Sequence, residues 1–161
     1  MRLYLVRHAV AESQVPSGDA DRALTPKGRL QMAKAAKGLR NLKVHPELIL
    51  SSPVRRALET ATVIADELGG IRLELLSELA AGFSGPAEVL AALEPYEKLE
   101  QIALVGHQPG LGELVSFMLT GSISSCTINF KKGGVACLER DPGQERFTLI
   151  WSLPPRVLRS L

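Results

Sequence analysis

The sequence predicts an α/β fold, a three-layer sandwich with a mainly parallel central sheet, an antiparallel C-terminal edge hairpin and helices on both faces. The main observation is a pattern that occurs three times: a short apolar run ends in polar residues, and a helix signal follows. It is found in "LYLVRH", "LILSSPVRRALETATVIADEL" and "IALVGHQPGLGELVSFMLTG". Buried strands that alternate with helices are typical of a parallel sheet. Nearer the C terminus, "GGVACLERD" and "ERFTLIWSL" flank the turn "PGQ", which indicates an antiparallel hairpin.

Length and composition limit the class of protein. The 161 residues, 45% hydrophobic and 22% charged, suit one globular domain over residues 1–161. The net charge is only +2 and the basic residues are spread along the chain, which argues against nucleic-acid binding but not against a small anionic ligand.

Three further features predict a cytoplasmic protein. No apolar run approaches the roughly 18 residues of a membrane span. The short apolar start, followed at once by Arg and His, is unlike a signal peptide. Cys126 and Cys137 form no CxxC pair, so we expect reduced thiols.

The first half of the chain is expected to form two strands, each followed by a helix. Residues 3–6 form the first strand, and Thr25-Pro26 begins a helix. Residues 48–50 form the second strand, followed by a helix with Ser52 as N-cap, Pro53 as first residue and a stop at Gly69-Gly70. The apolar face of the first helix has the expected spacing, with Met32, Ala35, Ala36, Leu39 and Leu42.

The second half adds shorter elements before the hairpin. "IRLELL" is a predicted strand, and "SGPAEVLAALEPY" predicts a short helix. Residues 102–105 form the next strand, and the helix after it ends at Gly121. The tail after Leu153 contains prolines and is expected to be a loop or a short cap.

Basic side chains follow three of the predicted strands, at the point where each strand ends. Arg7 and His8 follow the first strand, Arg55 and Arg56 the second, and His107 a third. Ligands of parallel sheets bind beyond the carboxyl ends of the strands, so these side chains are expected to meet if the strands are neighbours.

Such a cluster needs an anion. No Asp or Glu occurs at these three strand ends, and like charges this close repel outside bulk water. Guanidinium groups bind phosphate oxygens in pairs, and the amide dipoles at the start of a helix also favour an anion. The sequence therefore predicts a phosphoryl-binding site.

Histidines in that site indicate catalysis, since binding alone does not need them. A neutral imidazole nitrogen is a nucleophile toward phosphorus, and the phosphoramidate that forms can be hydrolysed. His8, beside Arg7, fits the nucleophile. His107 fits a group that stabilises the charge on the phosphoryl oxygens in the transition state.

Four ordered motifs carry a resemblance to a known family. "LVRHA", "LTPKG", "SSPVRRALETA" and "LVGHQPGL" resemble the histidine phosphatase superfamily, also called phosphoglycerate-mutase-like, and its short SixA-type phosphohistidine phosphatase branch. The usual first motif is Arg-His-Gly, and Ala9 stands here in place of the Gly. The likeness covers residues 1 to about 120, and the C-terminal hairpin is compatible with it.

The resemblance implies roles for individual residues. It implies that His8 is phosphorylated and that Arg7, Arg56 and His107 bind the phosphoryl group, with Arg55 a neighbour facing solvent or substrate. Arg22, in "DRALTPKG", stands where short members have an arginine near the phosphate.

Several other residues have two interpretations. Glu78 is either a proton donor with a raised pKa, or an ion-pair partner of a site arginine or a residue near a helix start. Ser13 and Thr25 are typical of a turn and a cap, although Ser13 is also a candidate phosphate ligand. His45, before Pro46, is expected in a loop.

The predicted activity is hydrolysis of phosphohistidine on a protein of the histidine-containing phosphotransfer type, in signal transduction, by a monomer without cofactor or metal. Between Glu78 and Ile102 the chain has material for one short helix and two turns but not for a lid. A phosphoimidazole protonated on its distal nitrogen leaves as neutral imidazole, whereas an alkoxide leaving group needs a proton donor far more.

Other functions remain open. A broad small-molecule or phosphopeptide phosphomonoesterase and a non-catalytic phosphate-binding module are both compatible with the motifs. A metal-dependent hydrolase with His8 and His107 as ligands is disfavoured, because the flanking arginines repel a cation. A mutase needs an enclosed pocket for which this chain has little material.

Overall fold

The computed structural model describes residues 1–80, 82 and 85–161. Its strands are β1 (Arg2–Arg7), β2 (Leu48–Ser51), β3 (Leu73–Leu75), β4 (Gln101–Gly106), β5 (Val135–Glu139) and β6 (Thr148–Leu153). Its helices are α1 (Pro26–Asn41), α2 (Arg55–Glu67), α3 (Pro86–Ala92), α4 (Gly110–Thr120) and α5 (Pro155–Leu158), and 3₁₀ turns lie at Asp19–Asp21, Ser77–Leu79 and Glu94–Tyr96.

The strands form a six-stranded sheet in the order β3-β2-β4-β1-β5-β6. The pairs β3–β2, β2–β4 and β4–β1 are parallel, whereas β5 pairs antiparallel with both β1 and β6. The predicted α/β class, mainly parallel sheet and C-terminal edge hairpin are confirmed.

Helices cover both faces of the sheet, because alternate residues of each central strand point to opposite sides. In β1, Tyr4 and Val6 join a buried cluster with residues of α1, α2 and α5. Leu3 and Leu5 join a second cluster on the other face, built with residues of α3 and α4. The three-layer arrangement is therefore confirmed. Within the described part of the chain, no helix is long and apolar enough to cross a membrane.

Two predictions about helix ends are wrong. Helix α2 begins at Arg55, two residues later than expected, and Val54 is its N-cap. The Ser52 hydroxyl accepts a hydrogen bond from Val54 N at 3.2 Å and contacts a side chain beyond β4, so it belongs to the sheet edge. Leu42 is 39% exposed, because α1 ends at Asn41 and the chain there leaves the helical path.

The other predicted helix signals are confirmed. The Thr25 hydroxyl accepts a hydrogen bond from Gly28 N at 2.9 Å and caps α1. Gly69 has a positive φ of 102° after the end of α2, and Gly121 one of 81° after α4. The short helix lies within its predicted segment as α3, although Ser84 of that segment is outside the described residues.

Candidate active site

The sheet order brings the three basic strand ends to one edge. Strand β4 lies between β1 and β2, with Arg7 opposite Gly106 and Ser51 opposite Val105. The backbone N–H of His8 donates to Gly106 O at 3.0 Å, which continues the pairing one residue past β1. The imidazole rings of His8 and His107 consequently lie 5.2 Å apart, centroid to centroid.

His8 is buried in the tautomer that leaves one nitrogen free for attack. Its ring Nδ1 lies 2.8 Å from the carbonyl oxygen of Ala9. A carbonyl only accepts hydrogen bonds, so Nδ1 carries the hydrogen and Nε2 the lone pair. Burial lowers the pKa of His8 to about 3. The hydrogen bond to Ala9 raises this pKa, whereas the charges of His107, Arg56 and Arg7 lower it further. The ring is therefore neutral at pH 7.

A hydrogen-bond chain fixes the backbone just after His8. The N–H of Ala9 donates to the Thr60 hydroxyl at 3.0 Å, and that hydroxyl donates to the carbonyl of Arg56 at 2.6 Å. Ala9 is not among the residues with positive φ, so an alanine is compatible where the family motif has glycine. The segment after β1 is thereby tied to the first turn of α2.

His107 is buried between the two neighbouring strand ends. Its Nε2 lies 2.9 Å from the Ser52 hydroxyl, and its Nδ1 is buried without a hydrogen-bond partner in the described part of the chain. Because Ser52 already accepts from Val54 N, its own hydroxyl hydrogen is free to donate to Nε2. That arrangement leaves an Nδ1–H donor. Burial is the main cause that lowers the pKa of His107 to about 4, and the charge of Arg56 is the next largest.

Arg7 and Arg56 are both held by hydrogen bonds from terminal nitrogens of the guanidinium group. Arg7 Nη1 donates to Phe130 O at 2.6 Å, and Arg56 donates to the carbonyl and the carboxylate of Asp19 at 2.8 and 3.0 Å. The Nε atoms of both arginines are buried with no partner in residues 1–80, 82 and 85–161. Unpaired buried donors are costly, so these two Nε–H groups and His107 Nδ1 form a set of donors suited to an oxyanion.

Asp19 is a site residue that the sequence reasoning missed. Its carboxylate bridges Arg22 at 2.7 Å and Arg56 at 3.0 Å, and the hydrogen bond from Arg22, followed by the charge of Arg56, lowers its pKa. Asp19 lies in a loop far from any strand end, and its only sequence signal is the three-residue spacing to Arg22. Arg22 is therefore linked to Arg56 through the carboxylate of Asp19. The Nε of Arg22 donates to the carbonyl of Glu12.

The remaining candidates make no side-chain hydrogen bond to Arg7, His8, Arg56 or His107 in the described part of the chain. Ser13 is exposed and makes no side-chain hydrogen bond within the described residues. Glu78 lies in the 3₁₀ turn at Ser77–Leu79 and accepts from the Ser77 hydroxyl at 3.0 Å. The described residues show no ion pair between Glu78 and a site arginine, and Glu78 lies in the first turn of this short helix, one of its predicted interpretations. Arg55 faces solvent and donates to Glu59 at 3.0 Å, and His45 is an exposed loop residue, as predicted.

The described residues offer neither a metal-binding cluster nor a reactive buried thiol. Among the described residues, no group of three or more His, Cys, Asp and Glu side chains is placed to hold a metal ion. Both cysteines are free, and burial raises the pKa of Cys137 to about 11, so that thiol is unreactive at neutral pH.

Residues 3–101 match the model of the histidine phosphatase superfamily (branch 1). The chain belongs to this superfamily. It is 37% identical over 138 residues to an uncharacterized protein of Picosynechococcus sp., a match that covers 84% of this chain and 82% of the relative. It superimposes on the protein histidine phosphatase SixA, solved with tungstate, with a TM-score of 0.87 and 26% identity over 98% of this chain and 99% of that one.

A third relative points to other substrates within the same superfamily. A protein of Hydrogenobacter thermophilus, whose name describes a candidate phosphoserine phosphatase, is 45% identical over 71 residues. That match covers 42% of this chain and 34% of the relative. The histidine phosphatase described here is thus SixA-like in fold, and its superfamily and neighbours make it a phosphatase.

Proposed function

We propose that this phosphatase hydrolyses phosphohistidine on a protein, of the histidine-containing phosphotransfer type, through a covalent phospho-His8 intermediate. The observation that carries the proposal is the free lone pair on Nε2 of a neutral, buried His8, beside three donors that lack protein partners. The site offers a nucleophile and an electrostatic complement to a phosphoryl group in one place.

In the first step, Nε2 of His8 attacks phosphorus and the P–N bond of the substrate breaks. A substrate phosphoimidazole that carries a proton on its distal nitrogen leaves as neutral imidazole, so the enzyme supplies no proton. Arg7, Arg56 and His107 donate to the phosphoryl oxygens during the transfer, and His8 keeps its Nδ1–H on Ala9 O. The negative charge of the phosphoryl group raises the pKa of His8 and His107, opposite to the effect of the arginine charges.

In the second step, water attacks phosphorus, the Nε2–P bond breaks and dihydrogen phosphate leaves. His8 returns to the neutral Nδ1–H tautomer, and both hydrogens of the water end on the phosphate. No carboxylic acid is required in either step. Asp19, the carboxylate that bonds Arg56, is ion-paired with Arg22 and Arg56.

Specificity is tested by comparing kcat/KM for three substrates with purified protein at neutral pH: a phosphohistidine protein, a phosphoserine peptide and a sugar phosphate. We expect the phosphohistidine protein to react fastest. Equal or faster hydrolysis of either ester would overturn the substrate assignment and favour the phosphomonoesterase suggested by the Hydrogenobacter relative.

We place the enzyme in the cytoplasm as a monomer that acts in signal transduction.

Metal independence is part of the proposal, because the arginines already supply the positive charge that a cation would provide. Incubation with EDTA is expected to leave kcat unchanged, while vanadate competes with substrate. Loss of activity in EDTA that zinc or magnesium restores would instead favour the metal-dependent hydrolase.

A further inference from the structure

We propose that the turn at residues 131–134 forms a second anion-binding element, which selects phosphorylated polypeptides with acidic side chains next to the phosphorylated residue. This inference rests on the proposed function, since it concerns how a protein substrate is recognised at the same site.

The turn is closed and rigid. Gly134 N donates to Lys131 O at 2.7 Å, and Gly133 has a φ of +80°, the pattern of a turn that requires glycine at its third position. A Cβ on Gly134 would lie 2.9 Å from Lys131 O. The backbone of Lys131 and Lys132 is therefore held in one conformation.

The turn is attached directly to the nucleophile. Gly133 N lies 3.0 Å from Arg7 O and 3.1 Å from His8 O, and Arg7 N donates to Gly134 O at 3.1 Å. On the other side of the lysines, Phe130 O accepts from Arg7 Nη1 at 2.6 Å. Because both ends of the pair are bonded to residues 7 and 8, the lysines have a fixed position relative to the phosphoryl site.

Their charges are not neutralised within the protein. Lys131 and Lys132 are exposed, and neither has a carboxylate within 4.0 Å in the described residues. Arg22 and Arg56 differ from these lysines, since Asp19 pairs with both arginines. Glu59 similarly pairs with Arg29 and Arg55.

The lysines are therefore positioned for a charge on another molecule. Lys132 lines a narrow groove with Ala9 and Val10, the residues that directly follow His8, so this lysine lies beside the segment that follows the nucleophile. A lysine on a flexible stem suits a carboxylate whose exact position varies. The complementary partner is a polypeptide with Asp or Glu beside its phosphorylated residue, because attraction between opposite charges steers such a substrate into the site.

The test uses two phosphohistidine peptides that differ only in the residues flanking the phosphohistidine, Glu in one and Gln in the other. We expect wild-type protein to show about fivefold higher kcat/KM for the Glu peptide, since two exposed ion pairs contribute an effect of this size. In the double variant K131Q/K132Q, the ratio should fall close to one. The matched control is K98Q, an exposed lysine before the amino end of β4, which should keep the wild-type ratio.

Each contrary result has its own meaning. Equal rates for the two peptides in wild-type protein, or an unchanged ratio in K131Q/K132Q, would overturn the inference while the phosphohistidine activity stands. If neither peptide reacted while p-nitrophenyl phosphate was hydrolysed, the proposed function would fail and the inference with it. High salt should reduce the wild-type ratio, because exposed charges are screened.

Discussion

At the amino edge of the sheet, the charge of Arg2 is compensated within the chain. Arg2 pairs with Glu139 at 3.0 Å, and the amino group of Met1 donates to Arg140 O at 2.8 Å. Within the described residues, the Nε of Arg2 lacks a hydrogen-bond partner, but Glu139 neutralises the charge of Arg2. At the carboxyl edge, the same part of the chain offers no partner to the buried Arg7 Nε and His107 Nδ1.

The two edges also differ in the space they offer. A cavity of about 480 Å³ lies at the amino edge, between α3, α4 and the start of β1, with Phe117, Phe147 and Leu90 in its lining. No candidate catalytic residue lines it. The comparison shows that uncompensated positive donors identify the candidate site here and that cavity volume does not.

The largest expected effect is at the nucleophile. His8→Asn removes the Nε2 lone pair, and we expect kcat to fall at least about 10³-fold, as for other covalent nucleophiles. Steady-state rates measure the loss, with the exposed His45→Asn as a matched control that stays near wild type. Near wild-type turnover in His8→Asn would contradict the proposed mechanism.

Arginine substitutions compare the two edges directly. Arg56→Gln removes charge and an Nε–H donor from the phosphoryl site, and we expect about a 10²-fold loss in kcat, the usual cost of one such donor. Arg2→Gln, at the amino edge, should change kcat less than twofold. An equal loss of activity in both variants would contradict the functional difference between the two edges.

Asp19 tests whether Arg56 must be held in place. Asp19→Asn weakens the charged bridge to Arg22 and Arg56, so we expect about a tenfold lower kcat/KM. Asp21→Asn is the matched control in the same turn, because only its backbone carbonyl accepts a hydrogen bond, from Arg55. Equal kinetics for the two variants would show that the bridge has no positioning role.

The lowered pKa values predict a smaller effect, on stability. The unfolded chain binds a proton at His8 near pH 6.5, whereas the folded chain does so only near pH 3, so the free energy of unfolding falls as the pH drops through this window. The contribution of His8 is about 2 kcal/mol between pH 7 and pH 5. Urea denaturation measures it, and His8→Asn should show a weaker pH dependence; equal slopes would contradict the assignment.

The sheet edge was predictable because parallel strands align their carboxyl ends, and the pairing of β1 with β4 then brings Arg7, His8 and His107 together. The choice of Arg56 over Arg55 came from the family resemblance, since sequence spacing does not show which of two adjacent helix residues is buried. In the structure, Arg56 is 6% exposed, while Arg55 faces solvent.

The missed features depend on contacts that sequence patterns do not encode. Asp19 reaches Arg56 across 37 residues, from a loop without hydrophobic periodicity. Ser52 has the residue type and position of an N-cap, but its hydroxyl also contacts His107, which only the β2–β4 pairing brings near. Glu78 was ambiguous from sequence, and its role as a proton donor stays a prediction.

The most direct test of the account is to identify the phosphorylated residue during turnover. Protein mixed with a ³²P-labelled phosphohistidine protein is quenched within milliseconds, and the labelled peptide is mapped. The account predicts acid-labile, alkali-stable phosphate on His8, absent from His8→Asn and retained in His45→Asn. Phosphate on another residue, or turnover with no labelled enzyme under single-turnover conditions, would contradict it.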